Sequence, residues 1–356
     1  MANEPLPALR GEVRALAETT YATDAGVAAT DVRYVENWDS NAKPTLEQRP
    51  GISPFRAGWR NRLVGQANTW SSEVEITALT VPASDTLTPE IDPWLAACGF
   101  GAKAFSAVGD PNTITYALLS HGHRSATIQE RFFNPAQSDG IGREYLGARC
   151  DWTITIDGQG IWRLAMDGAA KTGTAILGPS ATTLTYGFEN GPVIGSQTTA
   201  TLVSLEGNGD STYGTGSLLA TVVSATVTGN MNLQVQTGLS GTVGPSRVVL
   251  NPEQGVGVEL VLEQQVDAEW DPFTWMLDQT GADNVYSLIL TATVGVDTVN
   301  LGTFYISGME IENVPNEGGR RLWRINHSGV YPEVGGTDGG GLVPANNFSL
   351  FYSTPD

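Results

Sequence analysis

The sequence predicts an all-β fold with a short helix in each of two tandem domains. Glycine is abundant, at 42 of 356 residues, and only 16% of the residues are charged. Segments rich in valine, threonine and leucine lie between the glycines, which is typical of a protein with many strands and turns. A strand pattern that ends in glycine also occurs twice, as IWRLAMDG at 161–168 and LWRINHSG at 322–329. The composition therefore predicts strands, and the recurrence predicts a duplication.

The recurrence extends beyond this pattern. Shifting the chain by 161 residues aligns Gly147 with Gly308, Gly158 with Gly319, Trp162 with Trp323, Arg163 with Arg324 and Gly168 with Gly329. In both copies a strand-like segment leads through a glycine-containing turn into the Trp-Arg strand, which indicates a β-hairpin. We therefore expect Trp162 and Trp323 to be buried at equivalent positions of two similar units.

The elements upstream of the hairpin also recur in the same order. EVEITAL at 73–79 precedes DPWLAACG at 92–99, and GVELVLEQ at 257–264 precedes DPFTWMLDQTG at 271–281. Asp followed by Pro favours a helix start, because the carboxylate can cap free N–H groups and proline has no N–H to leave unpaired. Glycine then ends each helix. A Tyr-led apolar strand follows in both copies, so we predict a tandem duplication.

These elements divide the chain into four parts. They are an N-terminal arm at 1–30, a first domain at 31–170, a second domain at 171–330 that is a diverged copy, and a Gly-rich C-terminal tail with a final strand at 331–356. The Gly-, Ser- and Thr-rich segment 169–183 is the expected seam. The arm has no clear apolar periodicity, so we expect contacts with other subunits to order it.

The charge is strongly negative and unevenly distributed. The net charge is −19. Residues 1–171 carry 20 acids and 15 bases, whereas residues 172–356 carry 18 acids and 4 bases. Such a chain cannot neutralise a row of phosphates, which argues against tight nucleic-acid binding. Two explanations stay open: solubility, or a surface that repels a polyanion.

Catalytic and metal-binding patterns are weak. His121 and His123 would point the same way on a strand, but no third Cys or His lies nearby, so a turn is the favoured interpretation over a metal site. GTGSLLA at 214–220 leads into a β-run where a dinucleotide loop needs a helix. Cys98 and Cys150 are expected to be reduced and buried. We predict no enzyme, no metal and no cofactor; the sequence also shows no secretory signal and no apolar run long enough for a membrane span.

Three segments resemble siphophage major tail tube proteins. AETTYATDAGVAATDVRYVEN at 17–37 is similar to the N-terminal signature of that family. TPEIDPWLAACGF at 88–100 is similar to its P-x-L-x-x-L-L-x-A-C-G segment, and YLGARCDWTITIDGQG at 145–160 to its L-x-G-A-R-G strand and turn. The resemblance covers residues 17–170. The chain departs from the family at Ala22 and Cys150, where glycine is expected, so these two backbone turns are expected to differ in shape.

The resemblance implies two tail-tube-like β-sandwich or barrel domains, each with one flanking helix. In this family six domains form a ring, and stacked rings form the tube through which phage DNA is ejected. A two-domain chain would need three copies per ring, a homotrimer with pseudo-hexameric symmetry. The implied partners are its own copies and other tail proteins (tape measure, terminator and distal tail protein). DNA would pass through an acidic lumen without specific binding, and long loops such as 101–143 would reach the next ring of the virion tail.

Two alternatives stay open. One is another tail component of the same lineage, a terminator or a baseplate ring. The other is a soluble acidic adhesin or carbohydrate-binding β-protein, which would group exposed aromatic side chains on one face. Several tryptophans instead lie inside the predicted strands and helices, which indicates core positions; they are Trp94, Trp162, Trp275 and Trp323.

Overall fold

Antiparallel strands make up most of the described chain, which confirms the all-β prediction. The computed structural model describes residues 11–28, 31–49, 60–107, 111–119, 121–132, 139–158, 160–179, 191–204, 218–237, 245–251, 256–263, 286–306, 310–315, 321–327 and 348–355. The elements in these ranges are β1 Gly11–Ala17, β2 Val32–Arg33, β3 Asn37–Arg49, β4 Arg60–Glu75, α1 Asp92–Ala97, β5 Ala104–Ser106, β6 Asn112–Ala117, β7 Ala126–Phe132, β8 Asp139–Asp157, β9 Arg163–Ala169, β10 Thr172–Pro179, β11 Thr198–Ser204, β12 Leu218–Gly229, β13 Leu233–Gln236, β14 Arg247–Leu250, β15 Val256–Glu263, β16 Tyr286–Val294, β17 Asp297–Ile306, β18 Glu310–Pro315, β19 Arg321–His327 and β20 Phe348–Thr354.

The largest sheet, sheet I, has eight strands. Its order is β3-β4-β9-β8-β12-β15-β19-β18, and every neighbouring pair is antiparallel. The two predicted Trp-Arg hairpins are β8–β9 and β18–β19. Strand alternation places one row of residues towards the core and the next row away from it. Sheet I therefore contains both copies of the sequence repeat.

Two further sheets share long strands with sheet I. Sheet II has the order β12-β11-β16-β17-β20-β6-β5. Sheet III has the order β2-β1-β7-β8-β10. Strand β12 passes from sheet II to sheet I at an irregularity between Val222 and Ser224, and β8 passes from sheet III to sheet I. A separate ribbon pairs β13 with β14.

Aromatic side chains join sheets I and II into one core. Trp152 of β8 lies 5.3 Å from Phe348 of β20 between ring centroids, and Phe100 lies within 5.9 Å of both rings. All three side chains are buried. Aromatic pairs at such separations stabilise a core beyond the area they bury. The core face of sheet I therefore packs against sheet II at this cluster.

Helix α1 confirms the first predicted helix with one correction. It spans Asp92–Ala97, with Pro93 in the first turn, and Gly99 ends it at φ +91°. Residue Ile91 occupies the N-cap, and the carboxylate of Asp92 accepts hydrogen bonds from Arg124 at 3.1 and 3.2 Å. The Asp therefore anchors the helix to the segment before β7 and does not cap it. The second predicted helix, at 271–281, lies outside the described residues.

Three strands differ from the expected division of the chain. Strand β1, within the predicted arm, pairs with β2 and β7 and buries Val13 and Ala15. Strand β10, within the expected seam, pairs with β8. The predicted final strand is present as β20, and it lies between β17 and β6. Strands from both sides of the predicted boundary thus share sheets, and the division into two domains stays a prediction.

No helix in the described part of the chain is long and apolar enough to cross a membrane.

Candidate functional surface

Sheet I consists of two four-stranded units with the same strand order. Unit one is β3-β4-β9-β8 and unit two is β12-β15-β19-β18. In each unit the Trp-Arg strand lies between its hairpin partner and the strand that precedes the helix-coding segment. Leu164 pairs with Val74 in unit one, and Ile325 pairs with Leu260 in unit two. The repeat in the sequence therefore corresponds to a repeat in backbone pairing.

The repeated arginines make equivalent ion pairs. Arg163 lies 3.7 Å from Glu73 on the adjacent strand, and Arg324 lies 3.1 Å from Glu259. Each glutamate is two residues from the position directly opposite the arginine, which is the diagonal contact of an antiparallel pair. Sequence comparison found the two arginines, but their glutamate partners appear only once the strand registers are known.

The face of sheet I that points away from the core is rich in acids. We call it the outer face, and count it from the row of Asp167 onwards, because ribbon β13–β14 covers the end near Arg149. Its described charged side chains are half-buried or exposed: the acids Asp39, Glu73, Glu75, Asp151, Asp157, Asp167, Glu259 and Glu312, and the bases Arg163 and Arg324. Thr153, Thr155, Thr226 and Thr228 lie between them. The outer face therefore has a net negative charge.

A carboxyl pair lies beside Arg163. Its guanidinium donates to Glu36 at 2.7 and 3.2 Å, and this contact lowers the pKa of Glu36. Burial, together with a hydrogen bond to Glu36, raises the pKa of Glu75. Glu73 and Glu75 alternate along β4 and both point outward, and each also interacts with Arg163 or Glu36. Sequence alternation could not reveal Glu36, because it precedes β3 and is outside the strand pattern.

The two candidate metal ligands lie in a turn, as the favoured interpretation predicts. His121 is exposed, and Gly122 beside it has φ +69°. The His123 ring nitrogen Nε2 is 2.8 Å from the carbonyl oxygen of Leu119, and burial lowers the pKa of His123. Among the residues that the structure describes, no three His, Cys, Asp or Glu side chains form a metal-binding group. Strand β12 begins at Leu218, so the end of GTGSLLA is a strand, as predicted.

The segments that carry the family resemblance contact one another. Glu18, from the first segment, is buried and accepts hydrogen bonds from the backbone N–H groups of Ala22 and Gly147 at 2.7 and 2.8 Å. Arg149, two residues after Gly147, lies 4.5 Å above the ring of Tyr21. These contacts fasten the segment after β1 onto β8, so the motif residues stabilise the fold.

The two departures from the family pattern have different outcomes. Ala22 has φ +55°, the left-handed region that glycine favours, so a glycine would fit this position without strain, and the expected change in turn shape stays a prediction. Cys150 lies within β8, and its sulfur is 3.5 Å from that of Cys98. Both cysteines are buried free thiols, as expected, and burial raises the pKa of Cys150 well above its ordinary value. No turn is present at Cys150, so the expectation of an altered turn there is wrong.

The tryptophan predictions are confirmed where the structure describes the side chains. Trp94 and Trp162 are buried, and the indole N–H of Trp162 donates to the Thr198 hydroxyl at 2.8 Å. Strand β19 contains Trp323, which pairs with Leu262 along the backbone. The side chain of Trp323, and the whole of Trp275, lie outside the described residues.

Comparison with known proteins adds no assignment, since no protein-family model matches the chain and no curated protein matches it. What the structure offers is therefore an acidic outer face on a sheet of two repeated units, together with the edges of that sheet.

Proposed function

We propose that the chain is the structural subunit of a phage tail tube, with three copies in each ring and stacked rings forming a conduit for DNA. The single observation that carries this proposal is the repeated strand order of sheet I. A sheet made of two like units is already one step of a rotational array. Three chains supply six units, which matches the ring that the family resemblance implies.

The dimensions agree with such a ring. Strands lie about 4.8 Å apart and are tilted by about 40° in closed barrels. Three copies of an eight-stranded sheet then enclose a hole of about 48 Å between backbones, or about 35–40 Å between side chains, at the same spacing and tilt. A DNA duplex passes through an opening of this size.

Closure also fixes which face of the sheet lines the hole. The apolar face of sheet I packs against sheet II through Trp152 and Phe348. Only the outer face is left to face the lumen, and it carries mainly acids. Repulsion acts over about 8 Å at physiological ionic strength. Acids on the wall would therefore keep passing phosphates from binding without the need for specific contacts.

Electron microscopy of the purified full-length protein tests the proposal. We expect long tubes or stacks of rings in negative stain, with six similar densities per ring in end views. Single rings that never stack would favour a terminator or baseplate ring instead. Dispersed monomers at high concentration, over a range of salt concentrations, would contradict the proposal and favour a soluble acidic binding protein.

A further inference from the structure

The junction between the two units of sheet I provides a template for a contact between chains. Strand β8 is the last strand of unit one, and β12 is the first strand of unit two. They pair antiparallel from Asp157 opposite Ser224 to Trp152 opposite Gly229. A repeat of this junction would join the last strand of unit two to the first strand of unit one in another copy.

Those two strands are the ends of sheet I. Among the described residues, β18 pairs only with β19, and β3 pairs only with β4. An end strand with one free edge offers unpaired N–H and C=O groups to a further strand. Because β18 and β3 are different strands, their pairing is head-to-tail, and a head-to-tail contact can close into a ring.

We propose that β18 of one copy pairs antiparallel with β3 of the next copy, with Glu312 opposite Asn37. The register follows from the internal junction. Thr155 lies opposite Arg163 as Glu312 lies opposite Arg324. Thr226 lies opposite Glu259 as Asn37 lies opposite Glu73.

Since Thr155 pairs with Thr226 inside the chain, the equivalent pair between chains is Glu312 with Asn37. The inference rests on the proposed function, because it requires copies of this chain to associate head-to-tail. It adds the two strands, their direction and their register. Asn37 and Glu312 are both exposed in the single chain, as residues at such a contact must be before assembly.

Disulfide trapping in the full-length protein tests the register. Directly opposite positions lie within the Cα separation that a disulfide spans, about 4.4–6.8 Å. The test variant carries Asn37→Cys and Glu312→Cys. The matched control carries Asn41→Cys and Glu312→Cys; residue 41 is on the same strand face but about 13 Å further along. Under oxidised glutathione, two thiols of neighbouring copies are oxidised to one disulfide while glutathione is reduced.

We expect the test variant to give covalent dimers and trimers on a non-reducing gel at least tenfold more abundantly than the control or either single variant. Backbone hydrogen exchange in the wild-type protein is the second measurement, and we expect β3 and β18 to gain protection when rings form. Rings that form without cross-linking of the test variant and without this protection would overturn the inference and leave the tube intact. Stronger cross-linking of the control would refute the register. The absence of any ring would overturn both proposals.

Discussion

Replacement of Gly229 by alanine tests the packing at the junction of the two units. Gly229 lies opposite Trp152, and a Cβ atom at position 229 would overlap the indole atoms Cε2 and Nε1. The indole cannot move away freely, because Phe100 and Phe348 lie 5.5 and 5.3 Å from it. Overpacking of a filled core costs about 1–3 kcal/mol. Gly→Ala recovers about 0.4–1 kcal/mol through the unfolded chain.

We therefore expect Gly229→Ala to lower the free energy of unfolding by about 1–2 kcal/mol, the difference of those two effects. Urea unfolding, followed by tryptophan fluorescence and circular dichroism at a concentration too low for assembly, measures it. Gly191→Ala is the matched control, since a Cβ atom there meets nothing within 4 Å.

A double-mutant cycle with Trp152→Leu identifies the cause. Removing the indole should abolish most of the cost of the alanine, with a coupling energy of about 1 kcal/mol or more for residues in contact. The reasoning is refuted if Gly229→Ala is as stable as Gly191→Ala, or if its cost is unchanged in the Trp152→Leu background.

Ala22, strand β1, Asp39 and Arg163 each provide a further test. Ala22→Gly should raise the free energy of unfolding by about 0.5–1 kcal/mol in urea titrations, because it relieves the positive φ. Deletion of residues 1–20 should cost about 3 kcal/mol or more, visible in the urea midpoint, because it removes β1 from sheet III and two buried side chains from the core. Asp39→Asn should lower the salt concentration at which rings are seen by light scattering, because acids crowd the inferred junction. Arg163→Ala should cost up to about 1 kcal/mol at pH 7, and this cost should shrink as the pH falls through the folded pKa of Glu36. The lowered pKa of Glu36 gives stability that is present above about pH 4.3 and is lost as the pH falls through the folded value.

The sequence predicted local elements better than their assembly. The hairpin before Arg163, helix α1 and the strand β20 follow from periodicity, Gly and Pro, which act over a few residues. The position of β20 between β17 and β6 does not, because those partners are remote in the chain. Contacts with other subunits were expected to order the arm, since the alternation of β1, with Glu12 and Arg14 both buried, has no simple apolar pattern. Their mutual ion pair makes that burial possible.

The acids of the chain are concentrated on the outer face of sheet I. If acids served only solubility, the outer face of sheet I would carry them in about the proportion of the whole chain, where 38 acids face 19 bases, or two to one. Among the described residues the outer face carries eight acids, Asp39, Glu73, Glu75, Asp151, Asp157, Asp167, Glu259 and Glu312, against Arg163 and Arg324. This proportion exceeds three to one, on a surface where neighbouring strands bring like charges within screening distance and so weaken the sheet. A concentration of repelling charges on one face agrees with the proposed conduit, and solubility alone does not account for it. The explanation fails if an assembled ring places this face away from its lumen.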